Sequence, residues 1–391
     1  MCHLHSTTIQ NMTKRVLYLS EDYNTSKVHH NLCQNLSLLG NPMVLFSIHR
    51  NHYSKDLTSS FEQIDYEKHI NQFRGNRLMY KYIFPYKQHY KYHKLSTEIE
   101  FNDIGLCHAS TLFSDGATAL KLKKERGIPY IVSVRGTDTD LYAKKMIHLW
   151  KKGKKILRNA EKIIFISPAL KDALLNSIPF RKMKEELKEK IVIIPNGIDD
   201  IWLKNIRMET QGIDIDNPRI IYIGVLDNNK NVLSLMDAID LVAKRHSGIR
   251  ISIVGGNGNQ EESIKKRCEK CPERYQMLGK IYDKNKLREQ IRQHDIFTMV
   301  SHGETFGLVY IEALSQGLPV LFSKGRGIDG FFQEKIGEGI NPESVEDIAN
   351  GLNRIIEHYN QYDKLNGKIY QFSWAKIAEK YEKIYSTILE K

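Results

Sequence analysis

Short unbroken apolar runs alternate along this chain with longer segments whose apolar residues recur every three or four positions. That is the pattern of buried parallel strands joined by amphipathic helices. Residues 15–20 (RVLYLS) predict a first strand, 28–39 the helix after it, stopped by Gly40-Asn41-Pro42, and 43–48 a second strand. Strand-then-loop patterns follow at 104–110 and 128–138, with helices at 117–127 and 141–160. Further strands open the segments 162–174 and 190–199. A second series begins at 219–225 and continues through 251–260 and 275–301 to 319–322, and a last helix is predicted at 374–389. The chain of 391 residues therefore reads as two doubly wound α/β domains of ordinary size.

Chemistry is densest in 301–322, SHGETFGLVYIEALSQGLPVLF. His302, Gly303 and Thr305 make a loop, and 306–316 is helical in pattern until Gly317 and Pro319 stop it. Glu304 stands before this helix and Glu312 inside it, about 10 Å apart along the axis at the usual rise. That matches the reach from ribose to sugar in a nucleotide sugar. A helix start beside Gly307 offers free N–H groups and a positive dipole end to a diphosphate, and the flanking carboxylates can accept hydrogen bonds from hydroxyls. Two solvated glutamates on a surface helix are the plainer reading of the pair alone.

The spacing acid, seven residues, acid, with Phe306-Gly307-Leu308 after the first and Glu312-Ala313-Leu314 at the second, resembles the signature of family-4 retaining glycosyltransferases (glycosyl transferases group 1). The likeness runs over nearly the whole chain, strongest at 190–332 and weak at 50–100. It implies the GT-B fold, two Rossmann-like doubly wound domains facing across a cleft, with the helix 374–391 packing back on the first. It implies a nucleotide-sugar donor, taken as a UDP-sugar, transfer with retention, and neither a metal nor a cofactor. Glu304 would hold sugar hydroxyls and Glu312 the ribose, while Lys230 and the N–H groups of Phe306, Gly307 and Leu308 would meet the leaving charge. The base is expected against Gly279, Lys280 and Ile281. Gly224 is the donor-loop glycine, with Val225 where the family has Arg and Asn231 where it has Gly.

IPNGID, which supplies Asn196 on the acceptor side, resembles the family's last loop before the interdomain linker and so puts the boundary near residue 200, between domains 1–200 and 201–373. Arg135 precedes Gly136 and Asp138 where the family commonly has His before Gly. An arginine is no general base, but its fork suits a phosphate or carboxylate; an ion pair with Asp138 or Asp140 is the alternative. His108, at a strand end, is the remaining catalytic candidate, and a structural histidine is the plainer reading of it. The first loop, EDYNTSKVHH, lacks the family's glycines.

Composition narrows the partners. Hydrophobic residues at 41% and charged residues at 27% are globular values, and no window approaches the roughly 18 apolar residues of a membrane span. The first eleven residues lack a secretory pattern, and Met12 is an alternative start. Five cysteines at 2, 33, 107, 268 and 271 suit a reducing compartment, and Cys268-x-x-Cys271 lacks a second ligand pair. The net charge of +12 is lopsided: residues 1–200 hold 31 Lys+Arg against 20 Asp+Glu, the rest 27 against 26. Without a nucleic-acid motif this excess points to an anionic membrane surface, met by 77–94 (Tyr and Lys interleaved) and 141–160 (Trp150 among lysines). Tyrosines packed on a solvated connection and a plain amphipathic helix are the alternatives for these two segments.

The expectation is a cytoplasmic glycosyltransferase, peripheral on the inner face of the cell membrane, that acts on a glycan or lipid-linked acceptor in cell-surface polysaccharide or glycoconjugate synthesis. Two rivals stand beside it. One is a degenerate, noncatalytic GT-B glycan-binding or scaffold protein, suggested by the missing Arg, Gly and His. The other is a nicotinamide-dependent oxidoreductase, suggested by the glycine turns alone.

Overall fold

The computed structural model describes residues 14–49, 66–207 and 212–390. Cys2 and Met12, with the rest of the N-terminal extension, lie outside them. Seven strands form the first sheet: β1 (Arg15–Leu19), β2 (Met43–His49), β3 (Glu67–Gln72), β4 (Ile104–Ala109), β5 (Tyr130–Val134), β6 (Ile163–Phe165) and β7 (Ile191–Ile193). Their order is β3-β2-β1-β4-β5-β6-β7, and every pairing is parallel. Val16 to Leu19 are fully buried, so β1 is apolar throughout rather than alternating. β3 (EKHINQ) has no buried residue and lies where the hydrophobic pattern predicts no strand. It is an edge strand, paired on one side only, and needs no apolar run.

The second sheet contains β8 (Arg219–Val225), β9 (Arg250–Gly256), β10 (Tyr275–Gly279), β11 (Ile296–Met299), β12 (Val320–Ser323) and β13 (Gly337–Ile340), in the order β10-β9-β8-β11-β12-β13. It too is parallel throughout. In each sheet the order reverses beside the first strand, between β1 and β4 and between β8 and β11. Connections leave in opposite directions at such a point and open a crevice at the carboxyl ends of the strands.

Two predicted helices change on folding. The 306–316 pattern gives a helix only over Leu308–Ser315, because Gly307, at φ +79°, forms its cap and Phe306 turns into the core against Phe331 and Phe372. The 141–160 pattern is not one helix but a π turn (Asp138–Ala143), a 3-10 turn (Ile147–Leu149) and a helix (Trp150–Asn159). Trp150 Nε1 donates to Ala143 O at 3.1 Å and bridges the break. Gly153 is a packing position here rather than a weak point: a Cβ there would stand 2.9 Å from the Phe113 ring.

The chain returns from the second sheet to the first at its end. Ile198 N donates to Phe372 O at 2.9 Å, and the helix Trp374–Leu389 sets Trp374, Ile377, Tyr381 and Tyr385 into one apolar cluster with Val16, Tyr18, Leu32 and Leu36. Among the described residues no helix is long and apolar enough to cross a membrane.

Candidate active site

Lys230 follows β8 and Glu304 follows β11, the two strands at the reversal point of the second sheet. Asp227 caps the turn between β8 and Lys230, its Oδ1 accepting from Lys230 N at 2.9 Å. Asn231 adopts φ +57° and donates from Nδ2 to Pro342 O at 2.7 Å. The position needs a left-handed backbone, which Asn tolerates better than other non-glycine residues; this is why Asn can stand for Gly there. On the other strand end, Asn229 Nδ2 donates to Gly303 O at 2.9 Å, and Glu304 Oε1 accepts from Thr305 N at 2.9 Å. Lys230 Nζ thereby meets Glu304 Oε2 at 2.7 Å, with both side chains mostly buried.

Glu312 lies on the helix Leu308–Ser315 that follows Glu304. Burial pushes its carboxyl above the usual range, and the ammonium of Lys284, itself paired with Asp199, draws it back. Lys284 starts the helix Lys284–Arg292 and did not stand out in the sequence, where only its place after a strand-like stretch marks it. Gly279, at φ +67°, ends β10, and Lys280 reaches Asn257 across the turn after β9. A Cβ on Gly255 would lie 1.8 Å from Gly224 O, and one on Gly258 1.9 Å from Leu226 O. These glycines let two turns pack backbone to backbone, so a dinucleotide fingerprint is not needed to explain them. Glu261 Oε2 accepts from Asn257 N at 2.6 Å where that fingerprint would have its third glycine.

The first sheet supplies the opposite wall. Arg135 ends β5; its Nη1 donates to Asn196 Oδ1 at 3.1 Å and its Nε to Ser110 O at 3.4 Å. The ion pair with Asp138 or Asp140 does not form among the described side chains. Asp138 is instead buried as a backbone anchor, accepting from Leu112 N, Phe113 N and Arg135 N at 2.9 to 3.1 Å, and burial pushes its carboxyl up to about 6. Gly136 approaches the second half so closely that its Cβ would lie 2.5 Å from Thr305 Oγ1. Ser167 Oγ donates to Thr305 O at 2.9 Å. Glu304, Thr305, Gly136 and Arg326 line one recess, which shares Ala169, Ala173 and Arg326 with a groove of about 920 Å³ along the seam.

His108 does not face this cleft, which corrects the role its strand-end position suggests. It is fully buried, hydrogen-bonded to Tyr385 Oη at 2.6 Å and Ser133 Oγ at 2.9 Å, and burial holds its pKa well below the usual histidine range. Within 77–94 the packed alternative holds for two lysines. Lys87 and Lys91 point inward, Lys87 to Glu21 Oε2 at 2.7 Å and Lys91 to Asp115 and Glu21. Among the described residues no group of three or more His, Cys, Asp or Glu could hold a metal ion.

Residues 204–372 match the family described as Glycosyl transferases group 1, and residues 26–201 match Glycosyltransferase Family 4. An uncharacterised glycosyltransferase of Methanocaldococcus jannaschii is 25% identical over 312 residues, which cover 74% of this chain and 76% of that one. The phosphatidylinositol N-acetylglucosaminyltransferase gpi3 subunit of Schizosaccharomyces pombe is 26% identical over 207 residues, 51% of this chain and 44% of its own length. In fold, the chain is similar to Anabaena HepE solved in complex with UDP, with a TM-score of 0.66 and 15% identity over 95% of this chain and 100% of that one.

Proposed function

Because the chain belongs to the glycosyltransferases of the GT-B fold, we propose that it moves a sugar from a UDP-sugar to a hydroxyl of a glycan or lipid-linked acceptor, with retention of configuration. The observation that carries this reading is the Lys230–Glu304 pair at the strand-order reversal. Such a crevice is where open α/β sheets bind ligands, and a cation beside a carboxylate there serves the two ends of a sugar diphosphate.

In this reading the second domain, 201–373, holds the donor and the first domain, 1–200, the acceptor. Glu312 takes the ribose hydroxyls and the backbone at Gly279, Lys280 and Ile281 the base. Lys230 and the N–H groups of Gly307 and Leu308 take the diphosphate, and Glu304 the sugar hydroxyls. The bond from the sugar carbon to the diphosphate oxygen breaks as the acceptor oxygen bonds to the same face of that carbon. The departing diphosphate accepts the hydroxyl proton, and its growing charge is met by Lys230. Arg135, with no carboxylate partner among the described residues, faces an anionic group of the acceptor. The UDP bound to HepE and the lipid-directed name of the gpi3 subunit are consistent with the donor and acceptor classes. The basic first domain would bring the protein to the inner face of the cell membrane.

One observation favours the noncatalytic reading: Val225 stands exposed where the family places a second cation. A thermal-shift panel of nucleotide sugars, followed by nucleotide release with the sugar that binds, separates the two. Stabilisation by UDP-sugars with UDP release on adding acceptor is the expected result. Binding without release favours the noncatalytic protein, and no response to any nucleoside diphosphate overturns the donor site.

A further inference from the structure

The outer face of the N-terminal half carries a second concave site, away from the seam. The helices Phe84–Glu98, Ser114–Arg126 and Trp150–Asn159 enclose a cavity of about 350 Å³. Its polar lining includes Gln88, His89, Lys121, Lys124, Glu125 and Lys152, none of which borders the catalytic recess. The Gln88 amide is already satisfied: its Nε2 donates to Ser114 O at 3.0 Å and its Oε1 accepts from Thr118 Oγ1 at 3.0 Å. Lys121 lies 3.7 Å from Glu125 and 3.8 Å from the Tyr92 ring centre. Lys124 and Lys152 have no ion-pair partner among the described residues. Burial, then the charges of Lys124, Lys155 and Lys121, hold the Lys152 ammonium below the usual lysine range. Cations gathered in this way raise one another's energy, and an anion among them lowers it.

The chain that leads into the cavity carries exposed apolar side chains. Leu78, Tyr82 and Ile83 are 69%, 67% and 44% exposed and stand just before Pro85, which lines the cavity itself. Cations beside outward apolar and aromatic side chains are what an interfacial surface requires, the rings and aliphatic chains entering the acyl boundary while the lysines meet the headgroups. A site for a soluble phosphate would need the lysines but not the apolar rim.

We propose that this cavity binds the phosphate of an anionic membrane-lipid headgroup. Lys121, Lys124 and Lys152 surround the phosphate, and Leu78, Tyr82 and Ile83 enter the layer beside it. The assignment rests on the membrane-facing reading of the first domain and is independent of sugar transfer.

Lysine acetylation of the full chain, read by mass spectrometry with and without vesicles at low salt, tests it. Phosphatidylglycerol vesicles should slow labelling of Lys124 and Lys152 about fivefold each, which is roughly 1 kcal/mol per lysine near an anionic surface, and phosphatidylcholine vesicles should not. The variant Lys124→Gln/Lys152→Gln should sediment with phosphatidylglycerol vesicles about thirtyfold more weakly while its UDP affinity is unchanged. If the wild-type chain ignores these vesicles, both this proposal and the membrane reading are overturned. If the chain sediments equally in wild type and variant, with both lysines labelled at the free rate, the cavity is excluded and the membrane reading survives. If inorganic phosphate protects the two lysines as well as vesicles do, and Leu78→Ser/Ile83→Ser leaves sedimentation intact, the ligand is free phosphate and the lipid assignment fails.

Discussion

Lys230 Nζ stands 2.7 Å from Glu304 Oε2, so the one cation of the donor loop is neutralised by the acid that would hold the sugar. A diphosphate entering the crevice has to compete with Glu304 for that ammonium. Glu304→Gln should therefore bind UDP about threefold to tenfold more tightly while transfer falls by at least about tenfold. Lys230→Ala should lose both, with the rate down at least about tenfold. Calorimetry with UDP and turnover of the donor check this; unchanged UDP affinity in Glu304→Gln would show that the diphosphate does not reach Lys230.

Glu312 should govern nucleotide affinity rather than turnover, because the ribose end does not change charge during transfer. Glu312→Ala is expected to weaken UDP binding about tenfold, and the kcat of the saturated enzyme should fall far less. The carboxyl is raised above the usual range by burial, and only its ionised form accepts from both ribose hydroxyls. Affinity should thus fall as pH is lowered, with a midpoint higher than an ordinary glutamate gives, and Glu312→Gln should flatten the profile. Equal, small effects of Glu304→Ala and Glu312→Ala on both binding and rate would sink the assignment.

Asp138 makes a different prediction, about stability. Its folded pKa of about 6 exceeds the unfolded value of about 3.9, so the folded chain holds this proton more tightly. The favourable contribution is complete below about pH 4 and is lost as pH rises to about 6, roughly 3 kcal/mol over two pKa units. Urea unfolding of wild type and Asp138→Asn from pH 4 to 6.5 checks the sign. The wild type should lose stability relative to the variant as pH rises, and parallel curves would mean that Asp138 does not titrate in this window.

Lys91 belongs to the fold and not to a membrane surface. It is fully buried between Asp115 and Glu21, and removing it leaves buried carboxylate charge short of a partner. Lys91→Ala should cost about 3 to 5 kcal/mol in urea unfolding and leave vesicle sedimentation of the folded protein unchanged. A cost under about 1 kcal/mol would mean that the network is not held by this cation.

The alternation of buried runs and amphipathic segments was enough to give two parallel sheets and most strands to within a residue, as at β1, β2 and β8. Burial on both faces writes itself directly into local composition. Glu304, Glu312 and Lys230 were legible for a related reason. Each sits at a fixed offset from a strand end or helix start, and the strand-order reversal brings Lys230 and Glu304 together. Phe306 and Gly307 show where this stops: the apolar period runs through both, but a left-handed glycine delays the helix by two residues.

What the sequence determined by itself, then, was what local periodicity carries: most of the strands and the two-part architecture. What only the tertiary structure decided was which polar groups meet water. His108 reads as a cleft-facing strand end until the helix Trp374–Leu389, 277 residues later in the chain, lays Tyr385 across it. Lys87 and Lys91 read as surface cations until Glu21, from the end of β1, and Asp115, from another helix, enclose them. Gly136 and Ser167 meet Thr305 only because the two sheets close on each other. A side chain's local pattern records its backbone conformation, whereas its solvation and charge partners depend on residues distant in sequence, and no window of sequence contains them.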